Sequence, residues 1–101
     1  MKINIKATNM DLTESIKNYA NEKLGGIDKY FDNIQQIDVE VGKTTKGQAK
    51  GDVFFAEINV SVPGKLLRYR DETDELYKAI NATKKGMQNE IKKYKEKMRT
   101  S

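Results

Sequence analysis

Apolar and polar positions repeat with readable periods along most of this 101-residue chain. In residues 2–9, Ile3, Ile5 and Ala7 share one face of an alternating segment, which predicts a strand. Leu12, Ile16, Ala20, Leu24, Ile27 and Phe31 then recur at helical spacing. Asp11 is the expected N-cap of that helix, with Glu14 three residues on as its capping-box partner. The Gly25-Gly26 pair is where the helix should end or loosen. Ile37, Val39 and Val41 alternate with Asp38 and Glu40, the pattern of a half-buried strand. The stretch "GKTTKGQAKGD" that follows is polar and rich in glycine and lysine, so it reads as a mobile loop.

Phe54, Ala56, Ile58, Val60 and Val62 alternate with Phe55, Glu57, Asn59 and Ser61, predicting the longest and most central strand. By this parity Phe55 points outward, as an exposed surface aromatic rather than a stacking site. Pro63-Gly64 signals a tight turn. "KLLRYR" is a short fourth strand whose inward face is either Leu67/Tyr69 or Leu66. The last helix begins near Thr73 as N-cap, with Asp71, Glu72, Asp74 and Glu75 around its start and lysines toward its end, matching both poles of the helix dipole.

The order is β-α-β-β-β-α in one domain spanning residues 1–101. Two amphipathic helices cannot bury their stripes on each other and leave a sheet bare. The expected fold class is therefore α+β, a four-stranded sheet with both helices packed on one face. The short turns imply antiparallel hairpins.

The last helix carries two faces. Leu76, Ile80, Thr83, Met87, Ile91, Tyr94 and Met98 fall in one band and read as core. Lys78, Lys85, Lys92 and Arg99 are spaced by seven. Seven residues nearly close two turns, so these four form a ladder with rungs ~10.5 Å apart and a drift of only ~20° per step. The ladder lies almost opposite the apolar band. Asn81, Gln88, Asn89 and Lys95 join it, with Glu96 as the one acid on that side.

Charge gives this face a direction. The net charge is +4. Residues 1–75 hold 11 Lys/Arg and 13 Asp/Glu, a net −2, whereas residues 76–101 hold 8 Lys/Arg and two acids, a net +6. A localised basic excess is an electrostatic footprint for nucleic acid or an anionic surface. The plain alternative is a solvated helix face whose terminal lysines complement the dipole. That explains Lys92, Lys93, Lys95 and Arg99 well. It does less for Lys78, Lys84 and Lys85, which lie earlier in the helix. Residue physics alone leaves the two readings evenly balanced.

The missing residue types narrow the chemistry. With no His and no Cys, there is no His general base, no thiolate nucleophile and no Cys/His zinc site. No glycine-rich phosphate loop is present. The chain reads as neither an enzyme nor a cofactor or metal carrier, with no catalytic residues and no small-molecule substrate. It has no run of about 18 apolar residues, so no membrane partner is expected. The alternating N-terminus does not read as a signal peptide, and the absence of cysteine fits a reducing compartment, so the expected location is cytoplasmic.

A resemblance tips the balance. "DELYKAIN" (Asp74 to Asn81), entered from a short strand after Pro63-Gly64, resembles the last helix of the ribosome hibernation-promoting factor and ribosome-associated inhibitor A family. "DLTESIKNYANEKLGGIDKYF" resembles that family's first helix, with Leu12, Thr13, Ile16, Lys23, Leu24, Ile27, Lys29 and Tyr30 at matching places. The likeness covers roughly residues 1–98. It implies binding to the small ribosomal subunit and its rRNA near the decoding centre, where mRNA and the A- and P-site tRNAs are excluded and translation stops. Phosphate contacts are implied for Lys17, Lys23 and Lys29 on the first helix and for Lys85, Lys92 and Lys93 on the last. With the ladder and its neighbours, the candidate RNA-binding set is Lys17, Lys23, Lys29, Lys78, Lys84, Lys85, Lys92, Lys93, Lys95 and Arg99.

A ribosome-dimerising factor is a further candidate partner. The length resembles the family's short form or an isolated N-terminal domain of its long form. The chain departs from the family pattern at Gly26, Gly86 and Asn89, where basic groups are common in relatives, and it carries an acid at Glu90. Each missing phosphate contact should weaken binding. Gly86 reads as tolerated drift on the RNA-facing side, costing the helix up to ~1 kcal/mol relative to alanine. Two rivals stay open: a double-stranded-RNA-binding module, against which the acidic start of the last helix argues, and a protein-interaction domain with no RNA partner.

Overall fold

The structure, a computed structural model, describes residues 3–44 and 54–100. Four strands form one sheet in the order β1-β2-β3-β4: β1 Asn4–Thr8, β2 Gln36–Lys43, β3 Phe54–Val62 and β4 Lys65–Thr73. β1 runs parallel to β2, and the other pairs are antiparallel. The helices are α1, Glu14–Leu24, which lies on the β1–β2 crossover, and α2, Leu76–Thr100. A 3-10 segment, Gly25–Tyr30, continues α1 where the glycine pair weakens the α-helix. The order and layering are those expected, and the sheet is mixed. The loop expected to be mobile falls largely outside the described residues.

Register puts the inward apolar positions in line. Ile5 pairs Val39, Val39 pairs Ile58, and Ile58 pairs Tyr69; Ile37 pairs Val60, and Val60 pairs Leu67. This face closes with Ile16, Ala20 and Leu24 of α1, Ile27 of the 3-10 segment, and Leu76, Ala79, Ile80, Met87 and Ile91 of α2 in a single core. Buried Thr83 ties α2 to the sheet, its hydroxyl lying 2.7 Å from the Ala79 carbonyl and 3.2 Å from the Ala56 carbonyl.

Several local expectations change. Thr13, not Asp11, caps α1: its hydroxyl accepts from the Ile16 N–H at 3.2 Å, because extended backbone at Thr13 aims the side chain at the first turn. β4 is as long as β3, since all nine residues pair in register, and Leu67 and Tyr69 face inward while Leu66 is 56% exposed. Thr73 ends β4 instead of capping α2. Its hydroxyl accepts from the Glu75 N–H at 3.2 Å, and the Glu75 carbonyl accepts the first helical bond, from Ala79. Pro63-Gly64 makes the β3–β4 turn, with Gly64 at φ +74, the conformation of glycine at the third position of a type II turn.

Phe55 is not exposed. It points away from the helices, as parity requires, yet is only 4% accessible. The Arg70 guanidinium lies over its ring at 4.0 Å, and the residue opposite it is Gly42, which has no side chain to push the ring away. Glu57 anchors the same polar layer. It accepts from Arg68 at 2.9 Å and from Asn59 at 3.1 Å, with Arg70 3.5 Å away. Partial burial pushes the Glu57 carboxyl up. Hydrogen bonding to Asn59, Arg68 and Arg70, together with the Arg68 charge, outweighs that and holds it below its usual value.

Candidate nucleic-acid interface

The outward side of α2 is where the ladder lies. Lys78, Lys85, Lys92 and Arg99 are all exposed, on a 25-residue helix whose opposite side is buried against the sheet. The ladder therefore sits on a rigid support. Burial follows the predicted band through Leu76, Ile80, Thr83, Met87 and Ile91, with Tyr94 half-buried. It fails at Met98, which is 48% exposed. Tyr94 donates to the Pro63 carbonyl at 2.9 Å, so the β3–β4 turn is the last part of the sheet that α2 meets, and Met98 lies a turn beyond it.

A second heptad row, Asn81, Gln88 and Lys95, forms the seam with α1 and the 3-10 segment that continues it. Asn81 donates to the Tyr19 hydroxyl at 2.7 Å, Gln88 to the Tyr30 hydroxyl at 3.0 Å, and Lys95 to the Tyr30 carbonyl at 2.8 Å. Tyr19 also packs edge-on against Tyr77, with ring centroids 4.4 Å apart. Polar side chains expected to join the ladder thus do another job, tying α2 to α1 and to the 3-10 segment.

The ten candidate residues do not form one cluster. Lys23 lies over the Tyr19 ring at 5.6 Å and so borders the seam. Lys29 lines a shallow depression with Tyr30 and Lys95 at the end of the 3-10 segment. Lys84 is half-buried and falls on the α1 side of α2, one turn from both Asn81 and Gln88. Lys23, Lys29, Lys84 and Lys95 thus border the seam between α2 and the α1 side. Lys93 stands on the other side of the ladder and pairs with Glu90 at 3.6 Å. Lys78 pairs with Asp74 at 3.2 Å, an i,i+4 partner that the sequence reading did not credit. Lys17 is apart from the rest. It lines a depression with Ile3, Asn4 and Ile5 of the β1 side, across α1 from Tyr19.

Gly86 is not on this surface. It is buried, and a Cβ there would collide with the Tyr69 ring. The expectation of a missing phosphate contact at position 86 is therefore overturned: a side chain there would meet β4, not RNA. Drift is replaced by close packing as the account of this glycine. Gly26 differs, having open space around a Cβ. Asn89 is exposed beside Lys92 and Lys93.

One feature escaped the sequence reading. A groove of roughly 380 Å³ runs between the 3-10 segment and the last turns of α2, with Tyr30 on one wall, Ile91 among its lining, and Lys92, Lys95 and Arg99 at its rim. The signal available was Tyr30 itself, an aromatic outside the helical stripe and next to Lys29. Among the described residues no group of His, Cys, Asp or Glu is arranged to hold a metal, and no helix is long and apolar enough to cross a membrane.

Comparison with known proteins bears on the family and the fold. A family model described as sigma 54 modulation protein / S30EA ribosomal protein matches residues 3–99. The chain is 28% identical over 100 residues to a ribosome hibernation promotion factor of Lactococcus lactis, covering 97% of this chain and 51% of that protein. It is 29% identical over 100 residues to a ribosome hibernation promoting factor of Pseudomonas putida, covering 99% and 92%. It thus spans about half the length of the first relative and most of the second. The N-terminal domain of Thermus thermophilus Protein Y superposes with a TM-score of 0.78 at 28% identity, over 93% of this chain and 99% of that one. A ribosomal subunit interface protein from Coxiella burnetii shares the fold, with a TM-score of 0.80 at 21% identity over 94% and 98%.

Proposed function

The chain belongs to the sigma 54 modulation protein / S30EA ribosomal protein family, and on that premise we propose that it is a ribosome hibernation factor. It binds the small ribosomal subunit near the decoding centre through basic residues on two helices, blocks the mRNA and tRNA sites, and so inhibits translation. The observation that carries this reading is the exposed basic ladder, Lys78, Lys85, Lys92 and Arg99, on a helix held rigid by the core and by three side-chain bonds to the α1 side. Relatives named as ribosome hibernation factors support it.

The physics is that of phosphate recognition. Folded rRNA presents closely spaced phosphates, and lysines on a fixed helix meet them with little side-chain ordering beyond their own. Such contacts give affinity that falls with salt and carries little base readout. Inhibition follows from occupancy, so no group on the protein needs to make or break a bond. Lys23, Lys29, Lys84 and Lys95 extend the contact along the seam. Lys93 contributes from the flank, and Lys17 reaches a separate part of the RNA.

Co-sedimentation with isolated small subunits at graded salt tests this. The parent should pellet with small subunits at low salt and be released as salt rises. Lys85→Glu combined with Lys92→Glu should release it at low salt while leaving its circular dichroism unchanged. Failure of the parent to bind at low salt would sink the function. Parent-like binding by the double variant would sink the ladder. A preference for duplex RNA over subunits would favour a double-stranded-RNA module.

A further inference from the structure

The groove beside Tyr30 supports a more specific reading, which rests on the proposed RNA-binding role. Tyr30 is 47% exposed, yet its residue is held at two points: its hydroxyl accepts from Gln88 at 3.0 Å and its carbonyl accepts from Lys95 at 2.8 Å. Surface tyrosines usually keep rotamer freedom that a ligand must remove on binding. Here the protein has already restricted it. Ile91 contributes to the lining, and Lys92 and Arg99, one ladder step apart, flank the same groove. Glu96 also lines it, leaving three cations to one acid. Leu66, the large exposed apolar side chain of β4, has no comparable setting: it lies on the outer sheet face, next to Arg68.

We propose that this groove takes one unpaired base of a single-stranded RNA, stacked on Tyr30, with the flanking phosphates on Lys92 and Arg99. An exposed tyrosine held at two points, in a groove lined by Ile91 and by Lys92, Lys95 and Arg99, matches the two demands of single-strand binding, an aromatic ring for the base and positive charge for the backbone. Duplex RNA cannot offer a base to this site without unstacking it. The ladder alone would hold any phosphate array, and the groove adds a preference for an unpaired nucleotide.

The test uses fluorescence anisotropy with short oligoriboadenylate and with an abasic ribose-phosphate oligomer of the same length and charge. The parent should bind the oligoadenylate more tightly than the abasic oligomer. Tyr30→Ala should lose about 5- to 140-fold in oligoadenylate affinity, the ratio expected for one base stacked on an aromatic ring. That loss should leave the salt slope unchanged, because no phosphate contact is removed. Tyr30→Phe should lose far less than Tyr30→Ala, since the π-face remains and only the Gln88 bond that holds the ring is removed. Lys92→Ala should instead flatten the salt slope for both oligomers. Equal binding of the two oligomers by the parent, or no binding of either, overturns the groove assignment without needing any variant. Small-subunit co-sedimentation is read separately: parent binding there with no discrimination between oligomers removes the groove and leaves the hibernation reading intact.

Discussion

Gly86→Ala distinguishes close packing from drift, and its sign depends on one neighbour. In a helix interior alanine is favoured over glycine by about 1 kcal/mol. On an open surface this substitution would therefore stabilise the protein. At position 86 the new methyl would overlap the ring of Tyr69, a half-buried side chain packed against the core from β4. Overpacking of this kind costs ~1–3 kcal/mol, because the ring must swing out or the strand must move away from α2. The net expectation is a loss of about 1 kcal/mol, or roughly 4–8 °C in Tm for a domain of this size. Tyr69→Ala removes the obstacle at its own cost. In that background Gly86→Ala should gain up to ~1 kcal/mol, so the effect of the same substitution changes sign across the double-mutant cycle. Urea unfolding of the four proteins measures it. Stabilisation by Gly86→Ala in the parent, or the same effect in both backgrounds, would refute the packing argument. Salt-dependent binding to small subunits should be unchanged in the folded Gly86→Ala protein, since the position faces the sheet.

Three further outcomes follow from the same structure. Thr13→Ala should cost ~0.5–2 kcal/mol by removing the cap of α1, whereas Asp11→Ala should cost much less; a larger loss at Asp11 in thermal unfolding would restore the capping box. Glu57 has a depressed folded-state pKa, so it contributes stability above the ordinary carboxylate value of about 4.3 and loses it as pH falls through the lower folded value. Glu57→Gln should flatten the acid limb of the stability profile, and an unchanged limb would remove Glu57 as its cause. Single Lys85→Ala and Lys92→Ala variants should each reduce the slope of log affinity against log salt by ~0.7–0.9; a drop in affinity with an unaltered slope would mean that the lysine makes no phosphate contact.

What could be read without tertiary structure was whatever repeats along one element. Alternation placed Val39, Val41, Ile58 and Val60 in the core, and helical spacing placed Ile16, Ala20, Leu24, Ile80, Met87 and Ile91 there. The ladder was visible for the same reason. Phe55 was misread because its burial comes from Arg70 on β4 and from Gly42 on β2, partners set by register. The α1 cap was misread because Asp11 and Thr13 both suit the role and only backbone geometry chooses between them. Gly86 was misplaced because a glycine has no hydropathy to assign it a face.

The sequence by itself determined the element order, the core stripes and the concentration of positive charge in the last quarter of the chain. Each of these is a property of residues close together in sequence, where geometry is set by the helix or strand period. Only the tertiary structure decided which basic residues share a surface and what α2 meets on its buried side. It separated Lys17 from the ladder, turned Asn81, Gln88 and Lys95 into the seam with the α1 side, and brought Tyr30 beside Lys92 and Arg99. Those arrangements join residues about 60 positions apart, and no local period encodes the packing angle that brings them together.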